Sequence, residues 1–167
     1  DRKINKNIVK SFLEIDMNHF KAVFLKMHPS EKNKHIYNSL INSSGNNKIK
    51  ILSNDKINNI VQIGDIVITN GNSVAGIDAL IKGGILINLE IKNFPNSISY
   101  DKCSVSINSN IIKLKKSINE ALQIRGNIKK HLSNVEEFLN KYLFWENRNS
   151  AERILNFVNN RIKKISL

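Results

Sequence analysis

Between Ile85 and Lys92 the chain alternates, with Ile85, Ile87, Leu89 and Ile91 in one set and Leu86, Asn88, Glu90 and Lys92 in the other. Successive side chains of a strand point to opposite faces, so this segment presents one wholly apolar face that must be covered, and Glu90 and Lys92 share the other face. The "KGG" at 82–84 is a turn signal, and Ala75 to Ile81 ahead of it is a second β-rich run. Two such runs around a short Gly turn predict a hairpin. Asp78 would then come level with the far end of its neighbour, beside Glu90 and Lys92. Two carboxylates give a divalent cation hard oxygen ligands, and a nearby ammonium suits an attacked phosphate and its attacking water. The plainer reading of the same residues is a strand with a solvated outer face.

Size and charge narrow the rest. A chain of 167 residues with 41% hydrophobic content can bury roughly 70% of its unfolded surface around one core. A single domain over 1–167 is expected. The formal charge of +12 points to a polyanionic partner or an acidic binding protein. From Lys102 onward there are 13 Lys and Arg against five Glu, so the C-terminal helices hold most of the excess. One cysteine, Cys103, excludes an internal disulfide. His19, His28, His35 and His131 lack paired metal-ligand spacing, and neither a Walker loop nor a dinucleotide-binding glycine motif occurs. No run of about eighteen apolar residues is present to span a bilayer. The start at Asp1 in place of a methionine suggests a piece of something longer.

Apolar residues from Ile4 to Met27 recur at helical spacing, which predicts an amphipathic helix closed by Pro29. Ser30 is positioned to cap a second helix to about Ile41. Strands are expected at Ile49 to Leu52, Ile60 to Thr69, Ala75 to Ile81 and Ile85 to Ile91, then a polar loop from Asn93 to Asn110. Three apolar stripes predict C-terminal helices: Ile111, Leu114, Ile118 and Leu122; Val135, Phe138, Leu139 and Tyr142; and Ile154, Leu155, Val158 and Ile162. Gln123 lies off the first stripe in a polar ridge with Asn119 and Lys116. Asp65, in "IGDIVIT", is another acidic group, better read as a strand-edge polar. Helices, then strands, then helices make a layered α/β domain of the α+β kind.

Taken together, "GIDALI" and "ILINLEIKN" resemble the D-x(n)-E-x-K pattern of the PD-(D/E)XK nuclease superfamily, through Asp78, Glu90 and Lys92, with Ile77 where that pattern has proline. Within it the chain is most similar to the nuclease-related domain (NERD) family. "SEKNKHIYNSL" (30–40) is similar to that family's opening helix, making Glu31 an accessory ligand, and "EALQIRGNIKKHL" (120–132) is similar to its later helix, through Gln123. The resemblance covers about 30–132. It implies a restriction-endonuclease-like core with a mixed or antiparallel central sheet flanked by helices, an added N-terminal helix over 1–29 and added basic helices over 133–167.

It also implies a Mg²⁺- or Mn²⁺-dependent hydrolase. Asp78, Glu90 and the Ile91 carbonyl would hold the metal, Lys92 would orient the water or stabilise developing charge, and Gln123 would support them. Lys113, Lys115, Lys116, Lys129 and Lys130 would grip a nucleic-acid backbone, DNA before RNA. Two alternatives stand beside this endonuclease reading. One is a non-catalytic nucleic-acid-binding module on a degenerate core. The other is an RNA-cleaving toxin domain of a larger secreted protein, acting in the cytoplasm and neutralised by an acidic immunity protein.

Overall fold

The structure, a computed structural model, describes residues 2–28, 31, 33–52, 55–70, 73–90, 100 and 104–143. Its centre is strand β4 (Ile85–Leu89), every residue of which is buried. The expected alternation holds, with a difference: both faces are covered. Ile85, Ile87 and Leu89 pack with Ile107, Leu114, Ile118 and Ala121, whereas Leu86 packs with Leu80, Tyr100, Val105, Val135, Phe138 and Leu139. A strand buried on both sides belongs in a parallel sheet covered by helices.

That is the arrangement found. β4 lies between β3 (Ile66–Asn70) and β5 (Ser106–Ser109), parallel to both. A second, two-stranded sheet pairs β1 (Val23–Lys26) in parallel with β2 (Ile49–Leu52). The expected mixed or antiparallel sheet is therefore corrected: every strand pair among the described residues is parallel. Parallel neighbours need a crossover, not a tight turn. Helix α4 (Val74–Ile81) is the crossover from β3 to β4, on the segment expected to be a strand.

The local chemistry explains this reversal. Ser73 caps α4, its hydroxyl accepting from the Ala75 N–H at 3.3 Å. Gly76, Ala79 and Leu80 fall on one buried helical face. The "KGG" is the helix's C-terminal stop: Gly83 adopts φ +75°, its N–H bonds the Leu80 carbonyl at 2.9 Å, and the Gly84 N–H bonds Ala79 at 2.9 Å. This is a Schellman motif, in which glycine supplies the left-handed residue. His131, buried on α6 (Ile128–Leu143), lies 3.0 Å from the Gly84 carbonyl through Nε2 and ties this turn to the helix above it.

Other boundaries also move. The expected helix from Ile4 to Met27 is α1 (Arg2–Leu13) followed by a turn and β1, because Asp16 accepts from the Asn18 N–H and breaks the helix. The apolar spacing persists because Phe12, Ile15, Phe20 and Val23 all pack against one cluster with Met17, Ile41 and Ile49. Helix α2 (Lys34–Ser43) begins after Asn33, and the proposed cap Ser30 lies outside the described residues. Of 60–69 only the last part is strand, after the short helix α3 (Ile57–Ile60) and a loop. β5 occupies part of the expected polar loop. Residues 120–132, expected as one helix, divide into α5 (Leu114–Gly126) and α6, with Asn127 between. The third C-terminal stripe, with Ile154 and Leu155, lies outside the described residues.

The helices form two layers around the larger sheet. α4 and α6 cover the Leu86 face, and α5 covers the Ile87 face. α1 is shared between the two sheets: Ile8 and Phe12 reach the β4 side, while Val9 and Leu13 pack with Met27 and Tyr37.

The Schellman turn yields a graded prediction. A Cβ at Gly83 would meet Leu132 Cδ2 at 2.9 Å and Ile63 Cγ1 at 3.1 Å, whereas at Gly45, φ +65°, nothing lies within 4 Å. Gly45→Ala carries only the backbone penalty, about 1 kcal/mol, and Gly83→Ala adds repacking strain, for a total of about 2–4 kcal/mol. Urea denaturation measures both, and equal losses would contradict the packing described at Gly83.

Candidate functional site

The sequence-derived residues fall in different places. Asp78 lies in the middle of α4 and is partly buried. Glu90 is exposed immediately after β4, and its backbone N–H donates to the Ser109 carbonyl at 2.8 Å. The pair therefore sits on a crossover helix and a strand end, not on the two arms of a hairpin. Ile91 and Lys92 lie outside the described residues. Gln123 is exposed in the second half of α5. Among the described residues no group of three or more His, Cys, Asp or Glu side chains gathers to hold a metal ion. The lysines form two groups: Lys113, Lys115 and Lys116 are exposed where α5 begins, and Lys129 and Lys130 where α6 begins. The length of α5, about 20 Å at 1.5 Å per residue, separates them.

Glu31 has a defined setting ahead of α2. Its Oε1 accepts from the Asn33 backbone N–H at 3.0 Å and from Asn33 Nδ2 at 3.3 Å, and its Oε2 accepts from the Tyr37 hydroxyl at 3.4 Å. A carboxylate at a helix N-terminus is favoured by the helix dipole. The same residue lines a cavity of about 1320 Å³.

The walls of that cavity come from both sheets: Val23–Met27 of β1 and its end, and Ile66–Asn70 of β3. Among the described residues β1 pairs only with β2, and β3 only with β4, and residues of both strands line the cavity. His28 and Glu31, beyond the carboxyl end of β1, line it, as do Thr69 and Asn70 at the carboxyl end of β3 and Ser73 and Ala75 beyond it.

The carboxyl end of the larger sheet also changes character. One rung back, Ile68, Ile87 and Ile107 are in register, and the next rung is Thr69, Asn88 and Asn108. Thr69 is 7% exposed and Asn88 5%. Thr69 lines the cavity, while its hydroxyl oxygen is itself buried and makes no hydrogen bond among the described residues. An unsatisfied buried hydroxyl costs about 1–3 kcal/mol.

Tyr100 fixes the neighbouring start of α4. Its hydroxyl donates to the Ser73 carbonyl, and its ring lies so close to Gly76 that a Cβ there would meet it at 3.0 Å. Burial pushes its pKa up to about 12, opposed by the backbone at Ile77 and reinforced by the negative charge of Asp78. Thr69, Ser73 and Tyr100 were not singled out in the sequence. The signal was the polar "TNGNS" after an apolar strand, which marks a strand end and helix cap only once the crossover is known. No family model, curated protein or solved structure matches the chain.

The Tyr100 environment sets an alkaline limit. The phenol is neutral in the folded protein up to about pH 12, whereas the unfolded chain ionises near 10. Its contribution to stability is therefore complete below pH 10 and is lost as pH rises through 12. The Tyr100→Phe variant should show a shallower fall in stability between pH 10 and 12 than the wild type. Parallel curves in chemical denaturation at each pH would contradict this.

Proposed function

We propose that the chain binds a phosphorylated small molecule of nucleotide size in the crevice between β1 and β3. The observation that carries this reading is the buried, unpartnered Thr69 hydroxyl beside the N-terminus of α4. At the start of α4 the Ala75 and Gly76 N–H groups are taken by the Ser73 hydroxyl and carbonyl, so the attraction for an anion is the partial positive charge of a helix start after a parallel strand.

Topology supports the same place. β1 and β3, the strands that border the cavity, belong to parallel sheets, and parallel α/β sheets hold their ligands outside the carboxyl ends of their strands. A cavity of about 1320 Å³ exceeds the few hundred Å³ that a small ligand needs. Its apolar walls, including Phe12, Phe20, Val23 and Ile68, suit a base, and Glu31 is an acceptor for a sugar hydroxyl. The net +12 charge draws anions toward the chain at long range.

A second reading keeps metal-dependent phosphodiester hydrolysis at Asp78, Glu90 and Lys92. It is favoured by Glu90, which is solvent-exposed at the carboxyl end of the central strand two residues before Lys92. The two readings separate in one comparison. With plasmid DNA or total RNA and Mg²⁺ or Mn²⁺, the second requires cleavage that EDTA and Glu90→Ala both abolish; the first requires none.

Titration calorimetry with pyrophosphate and the four ribonucleoside diphosphates tests the crevice. Thr69→Val keeps the shape and removes the hydroxyl. It should weaken binding about ten- to a hundredfold, the worth of a hydrogen bond to a charged group, while leaving the ligand-free protein as stable as wild type or more so. Unchanged affinity in Thr69→Val would overturn the assignment.

A further inference from the structure

At the carboxyl end of β5 the chain makes a short 3-10 turn, Ile111–Lys113, before α5 begins. Ile112 at its centre is 94% exposed. Lys113, Lys115 and Lys116 follow, all exposed.

The turn is held firmly from below. Asn110 caps it, its side-chain oxygen accepting from the Lys113 N–H at 3.0 Å. Leu114 is buried in the core, and the Ser117 hydroxyl bonds both Ser109 Oγ at 2.7 Å and the Lys113 carbonyl at 3.2 Å. An apolar tip on a capped, core-anchored turn is presented, not merely left over.

We infer that this turn docks the protein on an anionic lipid surface, with Ile112 entering the headgroup region and Lys113, Lys115 and Lys116 facing the negative headgroups. Charge alone would equally suit nucleic acid. The isoleucine decides between them, because a phosphate backbone gives an aliphatic side chain nothing to replace water, whereas the interfacial zone of a bilayer buries it. Burying one such side chain is worth about ten- to a hundredfold in partitioning. Three lysines near a surface rich in acidic lipid contribute roughly a hundredfold between them. Together these reach the strength of reversible peripheral association, in keeping with the absence among the described residues of any helix able to cross a membrane.

Flotation with lipid vesicles tests this on the full chain, using phosphatidylcholine alone and phosphatidylcholine with about a third phosphatidylserine, at salt near 0.1 M where exposed charges remain unscreened only at short range. The wild type should float with the acidic vesicles and not with the neutral ones. Ile112→Asp should reduce binding at least tenfold, and Ile112→Trp should increase it. Changing Lys113, Lys115 and Lys116 together to Gln should cost about a hundredfold. The charge-matched change of Lys129, Lys130 and Lys141 to Gln should cost far less. All these positions are exposed, so melting temperatures should hold. Equal flotation of wild type and Ile112→Asp would overturn the inference. So would no flotation by the wild type, including the case in which it binds a 20-nucleotide RNA or DNA equally well with and without Ile112.

Discussion

Burial of β4 on both faces is the constraint from which the rest of the fold follows. Four apolar side chains, Ile85, Leu86, Ile87 and Leu89, are removed from water almost completely. At about 1.5–3 kcal/mol each their transfer is comparable to the whole net stability of an ordinary domain. A strand buried so deeply cannot sit at an edge or face solvent. It therefore needs strands on either side and helices above and below. Parallel neighbours require helical crossovers, and a crossover delivers a helix N-terminus to the carboxyl end of the sheet. The candidate site is thus a consequence of how the central strand is covered.

Within this frame a few polar contacts set position more than stability. Tyr100 holds the Ser73 carbonyl, which fixes where α4 starts. His131 reaches the Gly84 carbonyl and fixes where α4 ends and β4 begins. Arg125 donates through Nε to the Gly64 carbonyl at 2.8 Å, joining α5 to the amino end of β3. Each bond crosses from a covering layer to a turn of the β3–α4–β4 unit. That unit is therefore gripped at its turns, while its carboxyl end is left to polar side chains.

The central strand itself was legible in the sequence, because its alternation separates Ile85, Ile87 and Leu89 from Leu86 and Asn88, and the structure keeps those two sets apart. What alternation could not tell is whether the second face meets solvent or another layer, since Leu86 and Asn88 suit either. The segment 74–81 was misread because Val74, Ile77 and Ile81 are β-branched and favour strands, while its helical face rests on Gly76, Ala79 and Leu80, two of them small. The glycine turn carried the same ambiguity: a left-handed residue closes a hairpin and a helix equally well. Asp78 and Glu90 were expected on neighbouring strands, and their expected convergence depended on the hairpin; Asp78 lies in α4 and Glu90 just after β4. Thr69 was illegible as a site residue because threonine is ordinary in a strand. Only its burial without a partner, beside a helix start and a cavity, sets it apart.

The crevice between β1 and β3 is proposed to receive a phosphorylated ligand at the start of α4. Amide chemical-shift mapping of the ¹⁵N-labelled protein during titration with a ribonucleoside diphosphate tests it residue by residue. Ligand in the crevice should give saturating shifts at Thr69, Asn70, Ser73 and Ala75, with His28 and Glu31 following. Shifts confined to Lys113, Lys115 and Lys116, or to Glu90 and its neighbours, would contradict it.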